Sequence, residues 1–427
     1  MSGDRAVHRI VLAILLCATA AGAATAQTGP PPDVSDVRRE YAERVTAPMA
    51  QLLAIPTDQY ASRTGGVDVL VTVERNADYA YLVFVPELDG EFPLYSAGTY
   101  ILRRRRSDGQ LDQLKVFLRS DPRFFVRIWP DGTERSTMSV FLADSAINLS
   151  IPVPYPIERI LVEPLDLLMR STQARVDWNL FFPPVDRPEY RVVAEMAATA
   201  RSMLHTLPDA EDGAMDENGN LVLIDSLVLQ DQQPGFNCSG FAKWIVDGLF
   251  AGLYGRFLPI EPLKEKHLDI RGNEWSEPLE EERDPYFGLD WTRNLATAFL
   301  SAQEGDIEVD PEAADVREVP FTPYIEDVGY PVEKLEQVVY LLALEEPGYL
   351  YLASINQEFG GEPALRQHVH IAVIFPYFDM LGQFHADVME RNVESSVESL
   401  IRRYGDDAVH LVRVRADESF APPLIRN

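Results

Sequence analysis

Cysteine is nearly absent from this chain, which has only Cys17 and Cys238 in 427 residues. That scarcity excludes a disulfide framework and any cysteine-rich metal site. Basic residues are also in short supply: 38 Lys and Arg stand against 67 Asp and Glu, a formal net charge of -29. Such a balance argues against nucleic acid as a partner and favours neutral or cationic ones, although acidity alone also serves solubility. Nor does any stretch reach the roughly 18 to 20 uninterrupted apolar residues of a membrane-spanning helix, so no transmembrane segment is expected.

What the N-terminus does contain is an export signature. Arg5 and Arg9 precede an apolar run from Ile10 to Leu16, and small residues lead to Ala24-Thr25-Ala26. This pattern predicts a signal peptide over residues 1–26 and a mature chain beginning at Gln27, located in the periplasm or outside the cell. Leu16 stands where a lipid-attachment box needs a small residue, which disfavours a lipoprotein built on Cys17. Cys238 is then left without a partner in its own chain, and a lone thiol in an exported protein is either buried and inert, paired with another molecule, or reactive.

Texture divides the mature chain. Residues 27–65 read as a Pro-rich linker followed by helical spacing from Val34 to Leu53. Residues 66–160 carry short β-branched and aromatic runs separated by Asp89-Gly90, Asp108-Gly109 and Asp131-Gly132, which predicts an all-β, sandwich-like module. Arg103 to Arg106 within it read as a charged, solvated edge strand. Residues 161–427 mix both patterns. Helical periodicity over Tyr190–Leu207 is followed by a strand-like Leu221–Leu229, and a long acidic, Pro-rich insertion occupies about 255–332. In Asp212 to Asn220 the glycine falls too early for a calcium loop, and Asn218-Gly219 suits a tight turn, so no metal is expected there.

The chemistry centres on Cys238. Phe241, Trp244, Ile245, Leu249 and Leu253 fall at helical spacing after the break at Pro234-Gly235, so Cys238 lies at a helix N-terminus. Free backbone amides and the positive end of the helix dipole favour thiolate there. A thiolate nucleophile needs a base. His368-Val369-His370-Ile371 begins a strand whose alternation puts His368 and His370 on one face, and His385 sits on a following strand, Gly382 to Met389. Exposed polar histidines on a sheet face are the plain alternative.

Asn237-Cys238-Ser239-Gly240-Phe241, Pro347-Gly348-Tyr349-Leu350-Tyr351, His368-Val369-His370-Ile371 and Phe384-His385-Ala386 resemble, in order, the successive motifs of the NlpC-type cell-wall cysteine peptidases. The resemblance runs from about Leu221 to the strand His410–Val414. It implies an α+β, papain-like domain over 161–427, with a nucleophile helix against an antiparallel sheet, behind the β-rich module. It implies Cys238 as nucleophile, His368 as base and His385 as the residue orienting that base, with His370, Ser239 and Asn237 in support. Asn237 replaces the usual aspartate and His370 the usual glycine, and the family's upstream oxyanion tyrosine has no assigned counterpart. Glu390 followed by Asn392 also resembles the related CHAP group, in which an acidic or amide residue orients the histidine.

The implied activity is hydrolysis of amide bonds, above all in peptidoglycan stem peptides, where the family cuts between D-glutamate and a diamino acid. No cofactor is implied. Two rival readings stay open at this level: an amidase or acyltransferase using the same Cys-His site, and a catalytically degenerate scaffold whose β-rich module binds an envelope partner.

Overall fold

The computed structural model describes residues 29–271, 284–361 and 364–425. The expected signal peptide lies outside the described residues. The protein is mixed α and β with antiparallel sheets, and its chain divides into two units. No helix among the described residues is long and apolar enough to cross a membrane.

The first unit takes the chain to Pro184, together with Met380–Gly382. Its eight strands are β1 (Asp58–Ala61), β2 (Asp68–Arg75), β3 (Tyr79–Pro86), β4 (Tyr100–Arg105), β5 (Leu111–Phe117), β6 (Phe125–Asp131), β7 (Arg135–Leu142) and β8 (Ser145–Val153), and they pair strictly in chain order. The expected sandwich is therefore a single antiparallel meander. Each connection is local, and Gly109 and Gly132 take φ of +73° and +74° at turns the Asp-Gly pairs had marked. Successive strands consequently have no reason to cross to a second sheet. β4 is interior rather than an edge. Arg104 is buried and donates to the carbonyls of Ala47 at 2.8 Å and Gly109 at 2.9 Å, while Arg103 pairs with Asp112 at 2.5 Å.

This unit also extends past residue 160. The helices Ile157–Val162 and Leu165–Thr172 bury Ile160, Leu161 and Leu168 and pack on β5, β6 and β8. The helix Ser35–Glu40 joins them through Arg38, which donates to the carbonyls of Leu161 at 2.6 Å and Glu163 at 2.7 Å.

The second unit begins at Val185. Its sheet comprises β11 (Tyr330–Pro331), β12 (Tyr349–Glu358), β13 (Arg366–Phe378), β14 (Phe384–Glu390), β15 (Val393–Ser396) and β16 (Ala408–Arg415), in the order β11-β16-β12-β13-β14-β15. All pairings are antiparallel. The cysteine helix, Cys238–Tyr254, packs on β13, and its Phe241, Trp244, Ile245 and Leu249 share one core with Leu350, Leu352, Ile371, Val373 and Phe375 of the sheet. The strand expected over Leu221–Leu229 is only the short β10 (Leu221–Val222), paired with β9 (Ala214–Met215). The intervening turn is closed by Gly219 and by Asp216, whose carboxylate accepts the Asn218 and Asn220 amides.

The insertion is not an appendage. Its helix Phe287–Gln303 places Trp291, Leu295 and Phe299, spaced by four, in the same core as the cysteine helix. Replacing the fully buried Trp291 by alanine costs roughly 3 to 5 kcal/mol by the usual cavity cost.

Candidate active site

Local sequence explains why the sulfur sits where it does. Asn237 has extended backbone, and its Oδ1 accepts the Gly240 amide at 2.8 Å, capping the helix whose first residue is Cys238. The Phe241 amide returns to the Asn237 carbonyl at 2.9 Å. Those two bonds leave the Cys238 and Ser239 amides of the first turn without intrahelical acceptors. Gly240 must be glycine, because a Cβ there would lie 1.9 Å from the Gly213 carbonyl oxygen, and that oxygen is already held by the Asn237 amide at 3.1 Å. Ser239 is buried, and its carbonyl accepts the Trp291 indole N–H at 2.9 Å, tying the insertion to the first turn of the cysteine helix.

The ring that meets Cys238 is that of His370, not the expected His368. β12 and β13 pair Ile355 with His370 but Asn356 with His368, so one residue of β12 opposes two of β13. That bulge at Val369 breaks the alternation, and the two rings leave the sheet on opposite faces. His370 stands against Cys238 and lowers the pKa of its thiol through hydrogen bonding and charge, while its Nε2 meets Glu390 Oε2 at 2.5 Å, so Nδ1 is the nitrogen available to the sulfur. Its ring also lies nearly parallel to Tyr404, with centroids 6.2 Å apart.

His368 is buried on the other face. Its Nε2 donates to the Asp327 carbonyl at 2.9 Å and its Nδ1 accepts from the Ser354 hydroxyl at 2.9 Å. Burial and the nearby His410 push its pKa down to about 3, so it is a neutral structural imidazole. His385 is removed from the site by the hairpin geometry. It pairs in register with Tyr377, seven residues along β13 from His370, or roughly 20 Å at the rise of a strand. There it stacks on Tyr377 and reaches Asp379 at 3.0 Å.

Glu390, at the end of β14, is the carboxylate that meets the His370 ring. Its second oxygen accepts Arg403 Nη2 at 2.5 Å. Burial works against the carboxylate, but hydrogen bonds from His370, Ser395 and Arg403 outweigh it and hold the pKa at about 2. Burial likewise disfavours the imidazolium of His370, yet Cys238 and Glu390 raise its pKa to about 9. For Cys238, burial opposes ionisation, while the His370 hydrogen bond and charge, the Ile371 amide and the Arg391 charge together lower the pKa. The ladder between β13 and β14 stops at Val373 and Met389, which frees the Ile371 amide to face the sulfur. The imidazole thus stands between sulfur and carboxylate, an arrangement that favours the thiolate.

Residues 30–180 match the model of a family described as a domain of unknown function (DUF8515). The match falls within the first unit and covers about a third of the chain, so it carries nothing about Cys238. No curated protein and no solved structure matches the chain significantly.

Sequence reasoning missed Arg403 altogether and ranked Glu390 below His385. The Glu390-x-Asn392 signal pointed to the carboxylate that meets His370, but Arg403 approaches from the helix Val397–Tyr404 and left no local trace. Among the described residues, no group of His, Cys, Asp and Glu is arranged to hold a metal ion.

Proposed function

We propose that this chain is a papain-like cysteine hydrolase that cleaves amide bonds, with Cys238 as nucleophile, His370 as acid and base, and Glu390 as the residue that orients His370. The observation carrying this reading is the His370 ring, held by Glu390 through Nε2 and hydrogen-bonded to a sulfur at a helix N-terminus. An inert buried thiol has no use for an imidazole with a raised pKa and a carboxylate behind it.

In the proposed reaction the Cys238 thiolate attacks the amide carbonyl carbon, and the oxyanion forms beside the Cys238 amide. The imidazolium gives its proton to the departing nitrogen, the C–N bond breaks, and a thioester remains. Neutral His370 then takes a proton from water, whose oxygen attacks the thioester. The acid leaves, and Cys238 returns as thiolate beside imidazolium. Arg403 acts through Glu390 and is a positioning residue.

The proposed substrate is the peptidoglycan stem peptide, supported by the resemblance of the motifs around Cys238 to the NlpC-type peptidases, with action in the periplasm or outside the cell after export. Incubating purified sacculi with the protein, Cys238→Ala and Glu390→Gln tests it. The wild type is expected to release peptide fragments, Cys238→Ala none, and Glu390→Gln fewer by roughly 10- to 100-fold. Identical fragments from wild type and Cys238→Ala would end the peptidoglycan reading.

A further inference from the structure

Near the turn that carries the sulfur stands a cation that the proposed chemistry does not use. Arg391 follows Glu390 directly and occupies, with Asn392, the turn between β14 and β15. Its φ is +54°, a left-handed conformation that an arginine adopts only when its surroundings impose it. They do so here, because the Asn392 side-chain Nδ2 donates to the Leu207 carbonyl at 3.2 Å and fixes the turn.

The guanidinium reaches across to Asp209, with Nη1 at 3.0 and 3.2 Å from the two carboxylate oxygens. Asp209 in turn bridges to Phe236, two residues before Cys238. The ion pair therefore links the strand end that supplies Glu390 to the segment that delivers the nucleophile. It is not a core pair, since the side chains are 39% and 47% exposed. Nη2 and Nε of Arg391 have no partner among the described residues.

We infer that Arg391 is a specificity-determining residue of the Cys238 site, using its outward guanidinium nitrogens to bind a carboxylate on the substrate close to the scissile amide. The inference rests on the hydrolase reading given above. Geometry and charge favour an anion. A guanidinium offers parallel N–H donors that match a carboxylate. The chain as a whole carries -29, so an anionic substrate is repelled at a distance and needs a local cation at the nucleophile. Asp209 holds that cation in place before substrate arrives and competes for it afterwards.

The test needs no natural substrate. Cys238 of the full chain is alkylated with iodoacetate, which carries a carboxylate, and with iodoacetamide, its neutral counterpart, at neutral pH and low ionic strength. Arg391→Gln is expected to lower the iodoacetate to iodoacetamide rate ratio by about fivefold to tenfold. Arg391→Lys should keep the ratio within about twofold. Asp209→Asn should raise it about two- to threefold by releasing the guanidinium, a direction that mere loss of a structural ion pair does not produce. An unchanged ratio in Arg391→Gln, or a fall in both Arg391→Gln and Asp209→Asn, overturns the assignment. The absolute iodoacetamide rate reports on the thiolate, and the ratio on Arg391, so the two readings fail separately.

Discussion

Exchanging either of two neighbouring histidines for alanine should have opposite consequences, because the bulge at Val369 sends their rings to different faces. His370→Ala removes the partner that favours the Cys238 thiolate but leaves the burial that disfavours it. An ordinary thiol, with a pKa of about 8.5, is only about 0.3% ionised at pH 6. Alkylation by iodoacetamide at that pH should therefore fall by up to about 300-fold. The greater nucleophilicity of a more basic thiolate softens the loss to about 30-fold. Folding should suffer less than in His368→Ala, since the His370 side chain keeps 15% exposure whereas His368 is buried.

His368→Ala should do the reverse. It leaves the Ser354 hydroxyl and the Asp327 carbonyl without the ring they now share and opens a cavity, costing roughly 2 to 4 kcal/mol. Alkylation of the folded fraction should stay within about threefold of wild type. The assay pairs urea denaturation with alkylation rates between pH 5 and 9. If folded His368→Ala is alkylated more slowly than folded His370→Ala, the assignment of the base is wrong.

Two further outcomes follow from the same contacts. His368 has its folded pKa depressed from 6.5 to about 3, so its contribution to stability is present above pH 6.5 and lost as pH falls toward 3, at about 1.4 kcal/mol per unit. Glu390, depressed from 4.5 to about 2, adds to this loss only below pH 4.5. Urea midpoints measured from pH 7 to 4.5 should thus fall for wild type and flatten for His368→Asn, and an equal slope in both would contradict the neutral burial of this ring. Gly240→Ala should destabilise the protein by several kcal/mol despite alanine's better helix propensity of about 1 kcal/mol, because the Gly213 backbone oxygen blocks the new Cβ. A thermal midpoint at or above that of the wild type would show that the 213–240 contact can open.

Much of the site was legible before any coordinates. The helix after Cys238 announces itself through a capping asparagine, a small residue at position 240 and apolar residues at 3.6-residue spacing, all of which act within one or two turns. The central strands of the second sheet show as β-branched and aromatic runs, which suits β12, β13 and β16 buried on both faces. These are local properties, so the chain alone decided where the sulfur would stand and that an imidazole strand would follow.

The tertiary structure decided which imidazole meets the sulfur. One extra residue in β13 opposite Ile355 and Asn356 puts His368 and His370 on opposite faces, and that mismatch exists only once β12 is paired. The same holds for Glu390, which excludes His385 because the hairpin carries it toward β13's other end, and for Arg403, which arrives on a separate helix. Alternation along one strand contains no information about its neighbour's register, and register is set by the packing of the whole sheet.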